Sequence, residues 1–273
     1  MIQKAKANGI EIAFEVHGPS GRGEPLVLIS GLGYCSWYWH RMVPILADCF
    51  QVITFDNRGT GQSEKAPGPY TVPMLAADTL ALLDHLQVPK ANVLGHSLGG
   101  FIAQELAVTA PTRVQKLILA STGFGGPQMV PIPASTIAVM MNRLGSTRDI
   151  VNRGIEVSTA KGFSERQPEM VEMLVQYRMG NPVPPLQYAA QFAAGAGMGM
   201  LTIDQVNRRM AALSMPTLIL SGDQDWVVPA GNADLMAAKI VDSKVQIIAD
   251  TGHMIPIEAP EATARAVIDF IAS

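Results

Sequence analysis

The chain has 273 residues, 48% of them apolar and 16% charged, with a formal net charge of -3 and two cysteines. That length can bury a large core, either as one big domain or as a domain carrying an insertion. The mild charge and scattered basic residues argue against a nucleic-acid or membrane-surface partner, and no apolar run reaches the ~18 residues of a membrane span. Cys35 and Cys49 are too few for a disulfide framework or a cysteine metal site, and read as ordinary semi-buried thiols. The first residues, M-I-Q-K-A-K-A-N-G, lack the apolar stretch of a signal peptide, so the expectation is a cytoplasmic protein.

Along the chain, residues 10–16 (I-E-I-A-F-E-V) alternate with period two and suit an early antiparallel strand. Buried strands follow at 26–29 (L-V-L-I) and 51–55 (Q-V-I-T-F), then a helix over 75–87. A short strand at 91–94 leads into a helix over 98–110, stopped by Pro111. Further strands read at 117–120, 217–220 and 245–248. The last helix, 261–272, puts Ala264, Val267, Ile268 and Ile271 on one face. Strands alternating with helices predict an α/β fold whose mostly parallel central sheet is covered on both faces.

Residues 124–212 break this rhythm. They open with Gly and Pro (G-F-G-G-P-Q-M-V-P-I-P), hold nine of the fifteen methionines, and contain no strand-like run. Capping boxes at Ser164–Gln167 and Thr202–Gln205 and the Pro184-Pro185 pair predict helix starts. The A-A-G-A-G-M-G-M run near Gly195 reads as a flexible turn. The expected organisation is a core of residues 1–123 and 213–273 with a helical cap, 124–212, lying over the C-terminal edge of the sheet.

Between the strand at 91–94 and the helix after it lies Gly95-His96-Ser97-Leu98-Gly99. A Gly-x-Ser-x-Gly string arises by chance in roughly one chain of this size in ten, so its placement carries the information. A serine on a sharp strand-to-helix turn takes a strained backbone, and only small neighbours tolerate the close approach. Such a serine is a poor nucleophile without a base, and the base needs a third group to fix its tautomer. Of the five histidines, His253 in D-T-G-H-M follows the last predicted strand, where α/β sheets carry functional loops. His17, His40, His85 and His96 read as structural, with the His96 side chain pointing away along the turn. The loop S-G-D-Q-D-W-V-V-P after the 217–220 strand supplies the acid: Asp225 is the nominee and Asp223 its rival. The backbone N–H of Leu98, at a helix N-terminus, and that of Leu32, in the Gly31-Leu32-Gly33 loop, are the candidate oxyanion donors.

Taken together, Gly95–Gly100, D-N-R-G-T-G-Q-S at 56–63, Gly222–Pro229 and Gly252-His253 resemble the α/β-hydrolase superfamily, and so does the order Ser, Asp, His. The resemblance spans essentially the whole chain. It implies Ser97 as nucleophile, His253 as base, Asp225 as acid, Leu32 and Leu98 as oxyanion hole, and Asp56 and Arg58 as scaffold. One departure is Ser30-Gly31, where many relatives carry His-Gly; a backbone donor survives that change.

The expected activity is hydrolysis of carboxylic esters of small, largely apolar substrates through an acyl-enzyme, with no metal or organic cofactor. An enol-lactone type lactonase and a carbon–carbon bond hydrolase are alternatives with the same triad. A small-molecule receptor on the same fold is the alternative from another class. Trp37, with Trp39, and Met129 are the candidate substrate-lining residues. The cap methionines with Phe124, Phe163, Tyr177, Tyr188 and Phe192 suggest an apolar lid. The partner expected is a small ester or lactone, and a homodimer is compatible with the sequence.

Overall fold

The computed structural model describes residues 1–18 and 23–273. Eight strands form one sheet: β1 (Gln3–Ala7), β2 (Ile10–His17), β3 (Pro25–Ile29), β4 (Gln51–Phe55), β5 (Ala91–His96), β6 (Val114–Ala120), β7 (Thr217–Gly222) and β8 (Ser243–Ile248), in the spatial order β1-β2-β4-β3-β5-β6-β7-β8. The β1–β2 and β2–β4 pairs are antiparallel and every later pair is parallel.

The order 4-3-5 places the reversal of winding between β3 and β5. They pair directly, with Ile29 opposite Gly95, so the loops leaving their C-terminal ends are neighbours. A crevice at such a reversal is where open α/β sheets bind ligands.

The helices are α1 (Val43–Ala47), α2 (Val72–His85), α3 (Leu98–Thr109), α4 (Ala134–Met141), α5 (Thr147–Ser158), α6 (Phe163–Arg166), α7 (Pro168–Gly180), α8 (Pro185–Gly199), α9 (Ile203–Ala211), α10 (Gly231–Ala237), α11 (Ile255–Glu258) and α12 (Pro260–Ala272). Successive strand residues point to opposite faces. Val27 and Ile29 therefore pack with Leu75 and Leu82 of α2 and Ile102 and Leu106 of α3. Leu26 and Leu28 pack on the other side with Trp39, Leu46 and Val267 of α12. Burial on both faces is why the inner strands read as unbroken apolar runs rather than alternating ones.

Helices α4 to α9 occupy the chain between β6 and β7. Helix α9 begins with the expected capping box, Thr202 and Gln205 bonding each other's backbone N–H groups. Helix α8 begins at Pro185.

Two expectations need correction, and one strand forms where none was expected. The Ser164 capping box does not exist: Ser164 lies inside α6, which starts after Gly162, and α7 starts at Pro168. The run near Gly195 is the end of α8, not a turn. Three glycines cost a helix about 1 kcal/mol each, but α8 buries Gln191, Ala194 and Met198 along its length. A Cβ built on Gly195 would sit 3.4 Å from Leu98. Strand β1 escaped the sequence reading because Q-K-A-K-A has no β-branched or aromatic residue. It is a lysine-protected edge with only Ala5 and Ala7 turned inward.

Candidate active site

Ser97 follows β5 directly and caps α3 with φ 56° and ψ -120°, a conformation that costs a non-glycine residue of order 1–3 kcal/mol. Its surroundings hold it there. The Ser97 N–H donates to Ala120 O at 2.9 Å, and its own carbonyl accepts from the Thr122 hydroxyl at 2.7 Å and from the Gly100 N–H at 2.9 Å. The turn also needs bare backbone on both sides. A Cβ on Gly95 would collide with the Gly99 carbonyl, and a Cβ on Gly99 with the Ile29 carbonyl at the end of β3.

Asp225 and His253 arrive from the adjacent strands β7 and β8. Asp225 is buried, and its Oδ1 accepts from the Val227 and Val228 N–H groups at 2.8 and 2.7 Å. Its Oδ2 lies 2.8 Å from His253 Nδ1. An ionised carboxylate only accepts, so Nδ1 carries the proton and Nε2 keeps a lone pair. The rival, Asp223, does something else: its Oδ1 accepts from the Thr251 N–H at 3.2 Å and braces the His253 loop.

That loop is pinned from below. The His253 N–H donates to Ser158 O at 2.9 Å, at the end of α5. Glu258 accepts from the N–H groups of Ala160, Gly252 and Met254. Burial raises the Glu258 carboxyl above its ordinary range, and these three donors oppose the rise. Gly252 is required here because a Cβ would stand 2.5 Å from the Thr159 backbone.

Ser97 and His253 line one cavity of about 100 Å³, together with Gly31, Leu32, Arg143 and Arg178. Among the described residues Ser97 Oγ makes no hydrogen bond. A larger cavity of about 470 Å³ opens on the other side of Ser97, walled by Leu98, Phe101, Met129, Ile137 and Phe192. Leu32, Ser97, Met140 and Val227 belong to both walls, so the serine stands at the junction of a charged space and an apolar one.

The Leu98 N–H is the first of α3, a donor that no helical carbonyl can take. The loop carrying Leu32 is held by a residue the sequence reading did not single out. Gln191 of α8, almost fully buried, accepts from the Gly33 N–H at 2.9 Å and donates to Arg58 O at 2.9 Å. Arg178 of α7 donates to Gly33 O. The available signal for Gln191 was a lone amide in a stretch of alanine, glycine and aromatic residues. Asp56 and Arg58 brace neighbouring turns, Asp56 accepting from Ser36 and Gln62 N–H groups and Arg58 pairing with Asp78 at 2.5–2.6 Å.

Two side chains sit elsewhere than expected. His96 does not point away: it lines the smaller cavity, and its Nε2 donates to His253 O at 2.8 Å. Complete burial and the neighbouring His253 hold its imidazole well below the ordinary histidine pKa, so it is neutral. Trp37 does not face Ser97. Its ring stacks on Tyr177 and on His40, each at 4.0 Å, and lines a separate cavity with Glu15 and His17. The indole is thus covered by aromatic partners on the short 3-10 turn Ser36–Trp39, while Trp39 is wholly in the core. Met129 does line the larger cavity, its sulfur 3.0 Å from the Gly125 N–H.

Residues 24–260 match the model of a family described as the alpha/beta hydrolase fold. The chain belongs to the α/β-hydrolase family. Its similarity to individual proteins covers most of both chains. It is 28% identical over 261 residues to 3-oxoadipate enol-lactonase 2 of Acinetobacter baylyi, covering 96% of this chain and 93% of that one. It is 30% identical over 261 residues to a poly(3-hydroxyalkanoate) depolymerase of Ectopseudomonas oleovorans, covering 90% of this chain and 84% of that one. A thermophilic esterase of Thermogutta terrifontis, solved with malate bound, superposes with a TM-score of 0.82 at 28% identity, over 99% of this chain and 98% of the other. None of the helices in the described residues is long and apolar enough to cross a membrane.

Proposed function

We propose that this α/β-hydrolase family member is a serine hydrolase of carboxylic esters, working through an acyl-enzyme on Ser97. The observation that carries the reading is the 2.8 Å bond from His253 Nδ1 to Asp225, which leaves a basic nitrogen free beside a cavity that Ser97 lines on a strained turn. Ser97 Oγ attacks the ester carbonyl while His253 Nε2 takes its proton. The oxyanion accepts from the N–H groups of Leu32 and Leu98. His253 then protonates the leaving alcohol, and water repeats the cycle on the acyl-enzyme. Asp225 stays ionised and stabilises the imidazolium. Resting enzymes of this kind often hold nucleophile and base slightly apart until substrate binds, which accords with the unbonded Ser97 hydroxyl. Residues 124–212 serve as the cap, and the 470 Å³ cavity beneath it suits an apolar body of the substrate.

A lactone is a cyclic ester, and the same steps open it, with the leaving alkoxide still tethered to the acyl group. The enol-lactonase from Acinetobacter baylyi favours this second reading. A panel of 4-nitrophenyl esters and simple lactones separates the two by their kcat/KM values. For both, Ser97→Ala is expected to lower kcat/KM by about 10⁴-fold or more, because the three residues act as a unit. Near-full hydrolysis of 4-nitrophenyl butyrate by that variant overturns the assignment.

A further inference from the structure

The smaller cavity beside Ser97 carries two guanidinium groups and no carboxylate. Arg143 follows the C-terminus of α4 and lies over the Tyr188 ring, 4.3 Å from its centroid. Arg178 of α7 lies over the Tyr34 ring at 4.9 Å and spends one donor on Gly33 O. Both are half-buried. Among the described residues Arg143 makes no ion pair and no hydrogen bond, so all five of its N–H donors are unspent.

Nearby acids are committed elsewhere. Asp225 holds His253 and two N–H groups, and Glu258 takes three backbone donors. Asp149 is engaged by Ser146 in the cap of α5. Burial, together with the charges of Arg178 and Arg153, holds the Arg143 guanidinium below its usual range. It stays charged at any working pH, and a charge drawn partly out of water without a partner is costly. The aromatic faces of Tyr188 and Tyr34 steady the two planar groups but bring no negative charge. A counter-ion is therefore missing from the protein side, at a spot that opens on the nucleophile.

We infer that Arg143 and Arg178 form a subsite for a carboxylate carried by the substrate, so that the preferred ester or lactone is an acid-bearing one, its anionic end in the smaller cavity and its apolar body in the larger. A planar guanidinium matches a planar carboxylate with two parallel hydrogen bonds. The inference deepens the proposed function and rests on it.

The test compares 4-nitrophenyl hydrogen adipate with its neutral twin, 4-nitrophenyl methyl adipate, in the wild-type protein, Arg143→Met and Arg143→Lys. The wild type is expected to favour the acid in kcat/KM by about tenfold or more. Arg143→Met is expected to collapse that ratio toward one, and Arg143→Lys to retain part of it, since charge-assisted bonds are worth roughly a tenfold factor each. Equal rates on both substrates in the wild type, or an undiminished ratio in Arg143→Met, overturn the subsite. If those outcomes come with Ser97-dependent hydrolysis, the proposed function stands without it. Calorimetric titration with sodium adipate reads the subsite without any turnover. Binding at least about tenfold weaker in Arg143→Met supports it, and absent or equal binding in the two proteins overturns it, whatever the esters show.

Discussion

The strand-end loops and the helices between β6 and β7 are built on opposite terms. In the loops, the groups that hold the triad in place have partners: both Asp225 oxygens, His253 Nδ1 with its backbone N–H and carbonyl, and the Ser97 carbonyl. In the helical region Ile137, Met141, Leu144, Leu186 and Met200 stand exposed, and among the described residues Arg143 has the Tyr188 ring beside it but no hydrogen bond or ion pair. Fully bonded buried groups have one low-energy arrangement, whereas loosely engaged ones can move at little cost. On the proposed reading, the sheet therefore fixes which reaction occurs and the helices decide which molecule undergoes it.

That division breaks most severely from the sheet side. In Asp225→Asn the amide oxygen keeps the Val227 and Val228 N–H groups, which turns the NH₂ toward His253. Nδ1 must then accept, and the proton moves to Nε2, where the base is needed. The expected loss is about 10³–10⁴-fold in kcat on 4-nitrophenyl butyrate, with the fold intact by circular dichroism. A loss of tenfold or less would mean that Asp225 does not set the tautomer.

The same contrast explains what could be read in advance. The loops were legible because each sits directly after an apolar strand run, and a chain of that pattern must bring its strand ends to one edge of the sheet. Ser97, Asp225 and His253 follow β5, β7 and β8 in that way. The helical region offered no such frame. Its helices bury narrow faces against several different surfaces, so Gly195 and its neighbours read as a turn, and Arg143 and Arg178 could not be told from solvated surface charge. Trp37 failed for a related reason: sequence proximity to the Gly31–Gly33 loop does not say which way a 3-10 turn carries the ring.

A substitution at the seam between the two regions sharpens the comparison. Gln191 is, with Arg178, one of the helical region's direct holds on the loop that bears Leu32. In Gln191→Leu the Gly33 N–H and the Arg58 carbonyl both lose their partner, at about 1–3 kcal/mol for a buried group left unpaired. We expect kcat on 4-nitrophenyl butyrate to fall about tenfold while KM changes little, because a displaced oxyanion donor harms the transition state more than the ground state. A lowered Tm with unchanged kcat would show that Arg178 alone holds the loop and that the seam is merely structural.

The smallest effect concerns stability rather than rate, and it lies wholly on the sheet side. His96 is kept neutral by burial while it ties the Ser97 turn to the His253 carbonyl. In the unfolded chain the same imidazole takes up a proton near pH 6.5. Below that pH the unfolded state binds more protons than the folded one, so stability is highest above about pH 6.5 and falls as the solution is acidified. His17 and His40 are also shifted down by burial and add to the slope. Urea unfolding at pH 7.5, 6.5 and 5.5 is expected to show a loss steeper in the wild type than in His96→Asn, by about 1 kcal/mol per pH unit below 6.5. Asn keeps an N–H donor but does not titrate, so the difference between the two slopes isolates the proton. Parallel slopes would mean that His96 is protonated in the folded protein, and the Ser97 turn would then be held by a charged group rather than a neutral one.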